Sequence, residues 1–417
     1  MRLSYQYKLL PTADRRAALN AVLDKLRCQY NWLLQERFDW WEQNRSYINA
    51  CPIDVTHLPE LKEQPNYYSQ KKSLVYLKKE RPWYKDVHSQ VLQDMVKRVD
   101  LAFSRYIKGN SNGKRSGKPR FKGKGRYRSF TYTQANIDWV DGNKITLPKI
   151  GEIKVNWHRK LPDGFDVKTA IISRKADGFY ITLTLDDRRV PESNIEPVPM
   201  LENSIGVDMG LEKFASDSEG DFIAIPQFFR KAQADIARLQ QRLANSKKGS
   251  VARKKLVHKI AKLHQKIARQ RKQFHFESAQ IILNKAEVVY VEALSTTNMS
   301  RRAKPKQDEA GKFLPNGQAA KSGLNKSIAD AGWASFINIL TFKAEKAGQK
   351  VIAVNPNGTS QHCSNCLNRV SKELSERWHY CPSCGLELDR DTNAAILIKK
   401  VGLGIASLKK ARKSLVL

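Results

Sequence analysis

The chain opens on an alternation: Leu3, Tyr5, Tyr7 and Leu9 fall on one side of a two-residue repeat that Pro11 ends, which predicts a strand. The repeat then changes. Leu19, Leu23, Leu26, Tyr30 and Leu33 recur at three- and four-residue spacings, and the run from Thr12 to Ile107 is expected to be mostly helical. A further helix opens at residues 87–93, and its Val91, Val96, Val99, Phe103 and Ile107 share a face, so the stretch reads as a helical bundle. Periodicity stops between Asn110 and Arg128. Strands return after it, and Asp177-Gly178, set between Ile171-Ile172 and residues 179–183, marks a two-residue hairpin. The first strand belongs with the later ones, in one β-domain that has the helices inserted.

Beyond a Pro-flanked linker at residues 191–199, Gly206 begins a second β-unit, in which residues 214–216 and 222–224 flank a Glu219-Gly220 turn. A long helical pair follows, turning at Gly249. Ile236, Leu239 and Leu243, then Leu256, Ile260, Leu263 and Ile267, keep a narrow heptad-like stripe through it. Residues 288–291 form an apolar strand that Glu292 ends. Residues 300–323 read as a polar, basic loop, 328–348 as one helix with Trp333, Phe336 and Leu340 on a face, and 351–354 as the last strand.

Charge changes the picture. Against 41 Asp+Glu stand 74 Lys+Arg, a net +33 over 417 residues, and such a chain needs a polyanionic partner. Nucleic acid fits best, since each neutralised phosphate releases counterion. No apolar run reaches the roughly 18–20 residues of a membrane span, and the N-terminus lacks a signal-peptide core, which argues for a cytoplasmic, nucleoid-associated protein without a membrane partner. In the aperiodic segment, glycines alternate with Lys118, Arg120, Lys122, Arg126 and Arg128, while Phe121 and Tyr127 offer stacking surfaces. These seven are the candidate nucleic-acid contacts. The charged faces of the helical pair can equally be ordinary solvated faces.

Two motifs carry chemistry. Cys363, Cys366, Cys381 and Cys384 form a C-x2-C-x14-C-x2-C element, the spacing of one four-thiolate Zn²⁺ site. Four thiolates leave no open position for water, so that zinc is structural. Three acidic positions stand apart from the surrounding charge: Asp208 at the end of an apolar strand, Glu292 at the end of another, and an acid in the run Asp389-Arg390-Asp391-Thr392-Asn393. Carboxylates that converge from separate strands can hold two hard cations, Mg²⁺ or Mn²⁺, for phosphodiester hydrolysis. Taken singly, Asp208 also fits a turn, and Asp391 a helix N-cap. Glu292 is harder to place otherwise, because a carboxylate inside Val-Val-Tyr-Val-Glu-Ala-Leu is costly to bury alone.

Taken in order, these features resemble the TnpB family, proteins of bacterial insertion sequences regarded as ancestors of compact type V CRISPR nucleases. The residues that carry the resemblance are Gly206-Val207-Asp208-Met209-Gly210, Val291-Glu292-Ala293-Leu294, the four cysteines, and Asp391-Thr392-Asn393-Ala394-Ala395. Gly117-Lys118-Pro119-Arg120-Phe121-Lys122 and Asp330-Ala331-Gly332-Trp333 add to it. The resemblance implies a multidomain α+β chain. Residues 1–11 and 126–190 would form a wedge β-barrel, and 12–125 a helical recognition domain with the basic loop. Residues 200–358 and 389–400 would form a RuvC-like nuclease domain of RNase H fold, with a basic helical insert at 228–276. Residues 359–388 would form a zinc ribbon and 401–417 a basic tail, while 324–333 would close over the site as a lid. It also implies Asp208, Glu292 and Asp391 as the catalytic, Mg²⁺-binding carboxylates, and so favours Asp391 over Asp389. The implied activity is RNA-guided cleavage of double-stranded DNA beside a short target-adjacent motif. Its guide would be an RNA from the element's right end; a monomer is expected over an obligate oligomer. Two other classes remain open at this point: an RNA-guided repressor that does not cut, and a strand-transfer transposase.

Overall fold

The first strand lies in the middle of its sheet. In the computed structural model, which describes residues 2–45, 63–186, 197–355, 357–373 and 376–408, the chain divides into two units, Met1–Glu192 and Ser193–Leu417. Most of the 191–199 linker and the end of the 401–417 stretch lie outside the described residues. No helix among the described residues is long and apolar enough to cross a membrane.

In the first unit β1 (Arg2–Leu10) is followed by α1 (Ala13–Trp40), α2 (Tyr67–Lys72), α3 (Leu74–Glu80) and α4 (Ser89–Ile107). Six strands complete it: β2 (Ser129–Tyr132), β3 (Val140–Asp141), β4 (Lys144–Leu147), β5 (Gly151–Asn156), β6 (Asp166–Lys175) and β7 (Gly178–Asp186). The seven strands form one antiparallel sheet in the order β2-β6-β7-β1-β5-β4-β3. Its edge strands β2 and β3 do not pair with each other, so the sheet is a half-barrel rather than a closed ring of hydrogen bonds. Leu3, Tyr7 and Leu9 are buried, as alternation with one face on a core requires.

The helical stretch is more broken than its periodicity predicts. α1 ends in a π-turn, Trp41–Arg45, and Pro82 opens a 3-10 turn ahead of α4. The helices are joined by buried polar bonds that no periodicity reveals. Gln29 Nε2 donates to the Leu92 carbonyl at 3.0 Å, and Arg37 donates to Gln70 and Asp100, each at 2.8 Å. The hairpin between β6 and β7 also turns one residue earlier than expected. Lys175 pairs with Gly178, which leaves Ala176 and Asp177 as the loop, and Gly178 (φ +136°) starts the return strand.

The second unit begins with β8 (Ser204–Asp208), β9 (Lys213–Asp217) and β10 (Phe222–Ala224), then α5 (Phe228–Ala244), α6 (Val251–Leu283) and β11 (Val288–Glu292). After α7 (Thr296–Met299) come β12 (Lys306–Gln307), β13 (Phe313–Leu314), α8 (Gln318–Ala331), α9 (Trp333–Ala347) and β14 (Lys350–Val354). A hairpin of β15 (Trp378–Tyr380) and β16 (Glu387–Asp389) leads into α10 (Arg390–Gly402). The main sheet runs β10-β9-β8-β11-β14, with antiparallel pairing through β8 and parallel pairing beyond it. β11 is buried along its whole length, which suits its near-continuous apolar sequence.

Two segments differ from the sequence reading. Residues 300–323 contain the β12–β13 hairpin and the start of α8. The single helix expected over 328–348 is two, because Gly332 adopts φ +67° between them. A Cβ at Gly332 would lie 3.1 Å from Arg271 Cδ and 3.3 Å from His275 Cε1, so the break is also a point of close packing on α6.

Candidate active site and metal clip

The register of β8 and β11 brings two of the three carboxylates together. The strands run parallel with Val207 opposite Val291, so the next residue on each, Asp208 and Glu292, emerges beside the other at the strand ends. Neighbouring strands stand about 4.8 Å apart, within bridging reach of two carboxylates. α10 carries the third, although the oxygens of the three do not all gather within 4.8 Å of one another as the cysteine sulfurs do. The helix crosses β8 where Gly206 has no side chain: a Cβ there would meet the Ala395 carbonyl oxygen at 2.0 Å. Asp391 lies in the helix's first turn.

Asp389 and Asp391 have different surroundings. Asp389 caps α10, its Oδ1 accepting from the backbone N–H of Asp391 (3.1 Å) and Thr392 (3.2 Å), while Oδ2 pairs with Lys213 at 2.8 Å. Burial opposes ionisation of Asp389, yet Lys213 and those N–H groups hold it below its ordinary range. Asp391 is shifted upward, by burial first and then by Asp389. Asp208 is pushed up to about 8, by burial first and then by the charges of Glu292 and Asp391. Glu292, buried at 8% exposure, is also shifted up by burial; against this, Thr359 Oγ1 donates to its Oε1 at 2.5 Å. A buried carboxylate raised further by two neighbouring carboxylates, as Asp208 is, suits a multivalent hard cation.

The four cysteine sulfurs lie within 4.8 Å of one another, with Cys363–Cys384 at 3.6 Å and Cys366–Cys381 at 3.5 Å. A tetrahedron with metal–sulfur bonds of about 2.3 Å has edges near 3.8 Å, so the thiol set fits Zn²⁺. Cys381 and Cys384 sit where the β15–β16 hairpin turns. Asn393, fully buried on α10, grips the other knuckle: its Oδ1 accepts from the Ser364 N–H and its Nδ2 donates to the His362 carbonyl, both at 2.8 Å. Lys400 Nζ adds a bond to the Ser364 carbonyl at 2.7 Å. A second acidic group, Asp217, Glu219 and Asp221, already holds a cation of its own, since Lys285 Nζ is 2.6 Å from both Asp217 and Asp221.

In the basic segment Lys118, Arg120, Phe121, Arg126 and Arg128 are exposed and Lys122 is half-buried. Phe121 leans edge-on to Phe38, and Lys118 Nζ lies 4.4 Å from the centre of the same ring. The backbone of Lys122 is fixed by Asn31, which accepts from its N–H at 2.8 Å and donates to its carbonyl at 3.0 Å. Tyr127 differs from its expected role as a stacking face. It packs beside Tyr30, its hydroxyl accepts from Arg98 at 2.9 Å, and burial pushes it up to about 12.

Sequence reasoning did not single out Thr359 or Asp330's bonding role. Asp330 is buried and accepts from the Phe229 N–H at 2.9 Å, the Arg230 N–H at 3.2 Å and Arg271 at 3.1 Å. α5 has no side-chain cap of its own, so Asp330 caps it from α8. Partners about 60 to 100 residues away leave no local pattern to read.

Three domain families match the chain, described as "Helix-turn-helix domain" over residues 1–46, "Probable transposase" over 187–303 and "Cas12f1-like, TNB domain" over 333–398. The chain is 31% identical over 325 residues to "Putative RNA-guided DNA endonuclease InsQ" of Escherichia coli K12, covering 78% of this chain and 77% of that protein. The chain belongs to the TnpB family. Other TnpB relatives include "Putative RNA-guided DNA endonuclease" of Streptomyces pristinaespiralis, 27% identical over 97% of this chain and 90% of that protein. "TnpB-like protein L79" of Acanthamoeba polyphaga mimivirus is 26% identical over 48% of this chain and 38% of its own length. The first two alignments reach across both units of this TnpB chain.

Proposed function

We propose that the chain is an RNA-guided DNA endonuclease of an insertion sequence, cutting double-stranded DNA by metal-dependent hydrolysis at Asp208, Glu292 and Asp391. The observation that carries this reading is the convergence of three acids: the β8–β11 register sets Asp208 beside Glu292 at parallel strand ends, and α10, packed on Gly206 of β8, carries Asp391 in its first turn; Asp208 is raised to about 8 by burial first and then by the charges of Glu292 and Asp391. The names of the relatives above agree with it. The order β10-β9-β8-β11-β14, antiparallel then parallel, supports a RuvC-like nuclease domain over 200–358 and 389–400, with the zinc ribbon at 359–388 between its last strand and last helix. The half-barrel of the first unit supports the wedge, and the helices of 12–125 the recognition domain.

In this reading the strand ends offer carboxylate oxygens of Asp208 and Glu292 side by side, and Asp391 closes the set from α10. Two bound Mg²⁺ or Mn²⁺ ions would supply the charge that activates water and steadies the leaving oxygen. Asp389 and Lys213 fix the first turn of α10, and with it the place of Asp391. Cys363, Cys366, Cys381 and Cys384 hold one Zn²⁺ with a structural role. Lys118, Arg120, Phe121, Lys122, Arg126 and Arg128 contact nucleic acid, and sequence is read by pairing between a guide RNA and the target strand.

Expression with the flanking element DNA, followed by sequencing of the co-purifying RNA, supplies the guide for a plasmid-cleavage assay. Asp208→Ala should abolish Mg²⁺-dependent cutting and leave RNA-dependent DNA binding intact. Cutting by the Asp208→Ala protein would refute the site. Joining of element ends to a 3′-hydroxyl would favour strand transfer instead.

A further inference from the structure

Glu292 reaches the site on β11, yet what holds its carboxyl comes from elsewhere. β14 runs parallel to β11 with Val354 opposite Glu292. Five residues past Val354 the chain delivers Thr359, fully buried, whose hydroxyl donates to Glu292 Oε1 at 2.5 Å. Four residues later it enters the first cysteine knuckle. That knuckle is gripped in turn by Asn393 and Lys400 of α10, the helix that carries Asp391 in its first turn. Residues two apart on a helix point about 200° from each other, so Asn393 can hold the knuckle while Asp391 faces another way. The segment 359–366 therefore touches one carboxylate directly and the helix of a second.

We propose that Thr359 is a positioning residue for Glu292, fixing one carboxylate oxygen through a segment whose far end is anchored by the Cys363–Cys366 knuckle. This rests on the endonuclease reading above. An ionised carboxylate only accepts hydrogen bonds, so the Thr359 hydroxyl favours the charged form and occupies one lone pair of Oε1. The carboxylate's other lone pairs would be left to hold a metal ion. Removing such a supporting bond around a metal ligand weakens metal affinity by about 10–100-fold.

The test uses the full chain with its guide RNA, in parent, Thr359→Val, Thr359→Ser and Glu292→Gln forms. Cleavage rate is measured against Mg²⁺ concentration, Mn²⁺ binding by electron paramagnetic resonance, and zinc content by emission spectroscopy. Thr359→Val keeps the shape and loses the hydroxyl. It should need about 10–100-fold more Mg²⁺ for half-maximal rate and bind Mn²⁺ correspondingly more weakly. Zinc content and RNA-dependent DNA binding should stay at the parent's level, and Thr359→Ser should restore the metal response. A Thr359→Val protein with the parent's metal dependence, beside an inactive Glu292→Gln, would overturn the proposal and leave the endonuclease reading standing. A Thr359→Ser protein as impaired as Thr359→Val would assign the effect to methyl packing and overturn it too. If Thr359→Val loses zinc, Thr359→Ala takes its place, and zinc loss in both would make the hydroxyl a purely structural bond, again against the proposal. A parent that neither cuts nor binds Mn²⁺ would remove the reading and the proposal together.

Discussion

The charge on Asp208 decides how the site behaves without metal. Its ordinary value is 3.8 and its folded value about 8, so the folded chain holds this proton more tightly than the unfolded one. The stability it contributes is full below 3.8 and is lost as pH rises through 8. At pH 7.5 without divalent metal, Asp208→Asn, which has the same shape and no proton to lose, should therefore be more stable than the parent by about 2 kcal/mol or more. The difference should shrink towards zero near pH 4. Saturating Mg²⁺ should reverse the order at pH 7.5, because only the parent gains from binding it. Thermal melts at both pH values, with and without Mg²⁺, check this. An Asn variant whose advantage does not change with pH would mean that neither burial nor the neighbouring carboxylates raise Asp208 in the folded chain.

Among the elements, α10 matters most for the site, and glycine lets it approach. At Gly206 a Cβ would sit 2.0 Å from the Ala395 carbonyl oxygen and 2.7 Å from the Lys399 nitrogen, both helix backbone that cannot rotate away. Gly206→Ala should push α10 and Asp391 off the strand ends. An ångström of misplacement costs on the order of 100-fold in rate. Overpacking costs about 1–3 kcal/mol in stability. Cleavage kinetics and a melt read both, and a variant that cuts at the parent's rate would contradict the close approach. The second element-scale prediction concerns the root of the α5–α6 pair. Asp330→Ala leaves Arg271 and the first turn of α5 without their shared carboxylate, at a cost of about 3–5 kcal/mol for a broken buried pair. Hydrogen exchange should quicken at the start of α5 well before it does in β11. These contacts mark the limit of what the sequence shows. β1, β8, β11 and β14 are plain in it because strand periodicity and apolar runs are local. The helix break at Gly332 is not, because a single glycine in an apolar helical pattern is ordinary until Arg271 and His275 are seen against it. Asp208 and Glu292 stand out as acids in apolar strands. Thr359 does not, since its significance lies in a partner 67 residues away.

Over the whole molecule the excess charge of +33 implies that affinity for nucleic acid falls steeply with salt, and the slope can be apportioned. Each phosphate neutralised contributes roughly 0.7 to the slope of log affinity against log salt for a single strand and 0.9 for a duplex. Lys118, Arg120, Lys122, Arg126 and Arg128 sit on a segment whose backbone Asn31 and Arg174 hold in place, Arg174 by donating to the Gly125 carbonyl at 2.8 Å. Such a segment can present its cations without first ordering them. If all five meet phosphate, replacing them together with Gln should lower the slope by roughly 3.5 to 4.5, with little change in melting temperature. Binding of the guide RNA between about 0.1 and 0.5 M salt measures it. A slope unchanged by the five substitutions would place the phosphate contacts elsewhere, and the α5–α6 pair would be the next region to neutralise, since Asp235 is its only acid between Arg230 and Lys272. A slope reduced by only one or two contacts would divide the segment. Phe121, half-exposed against Phe38, would then be the residue to replace, because stacking contributes affinity that salt does not remove.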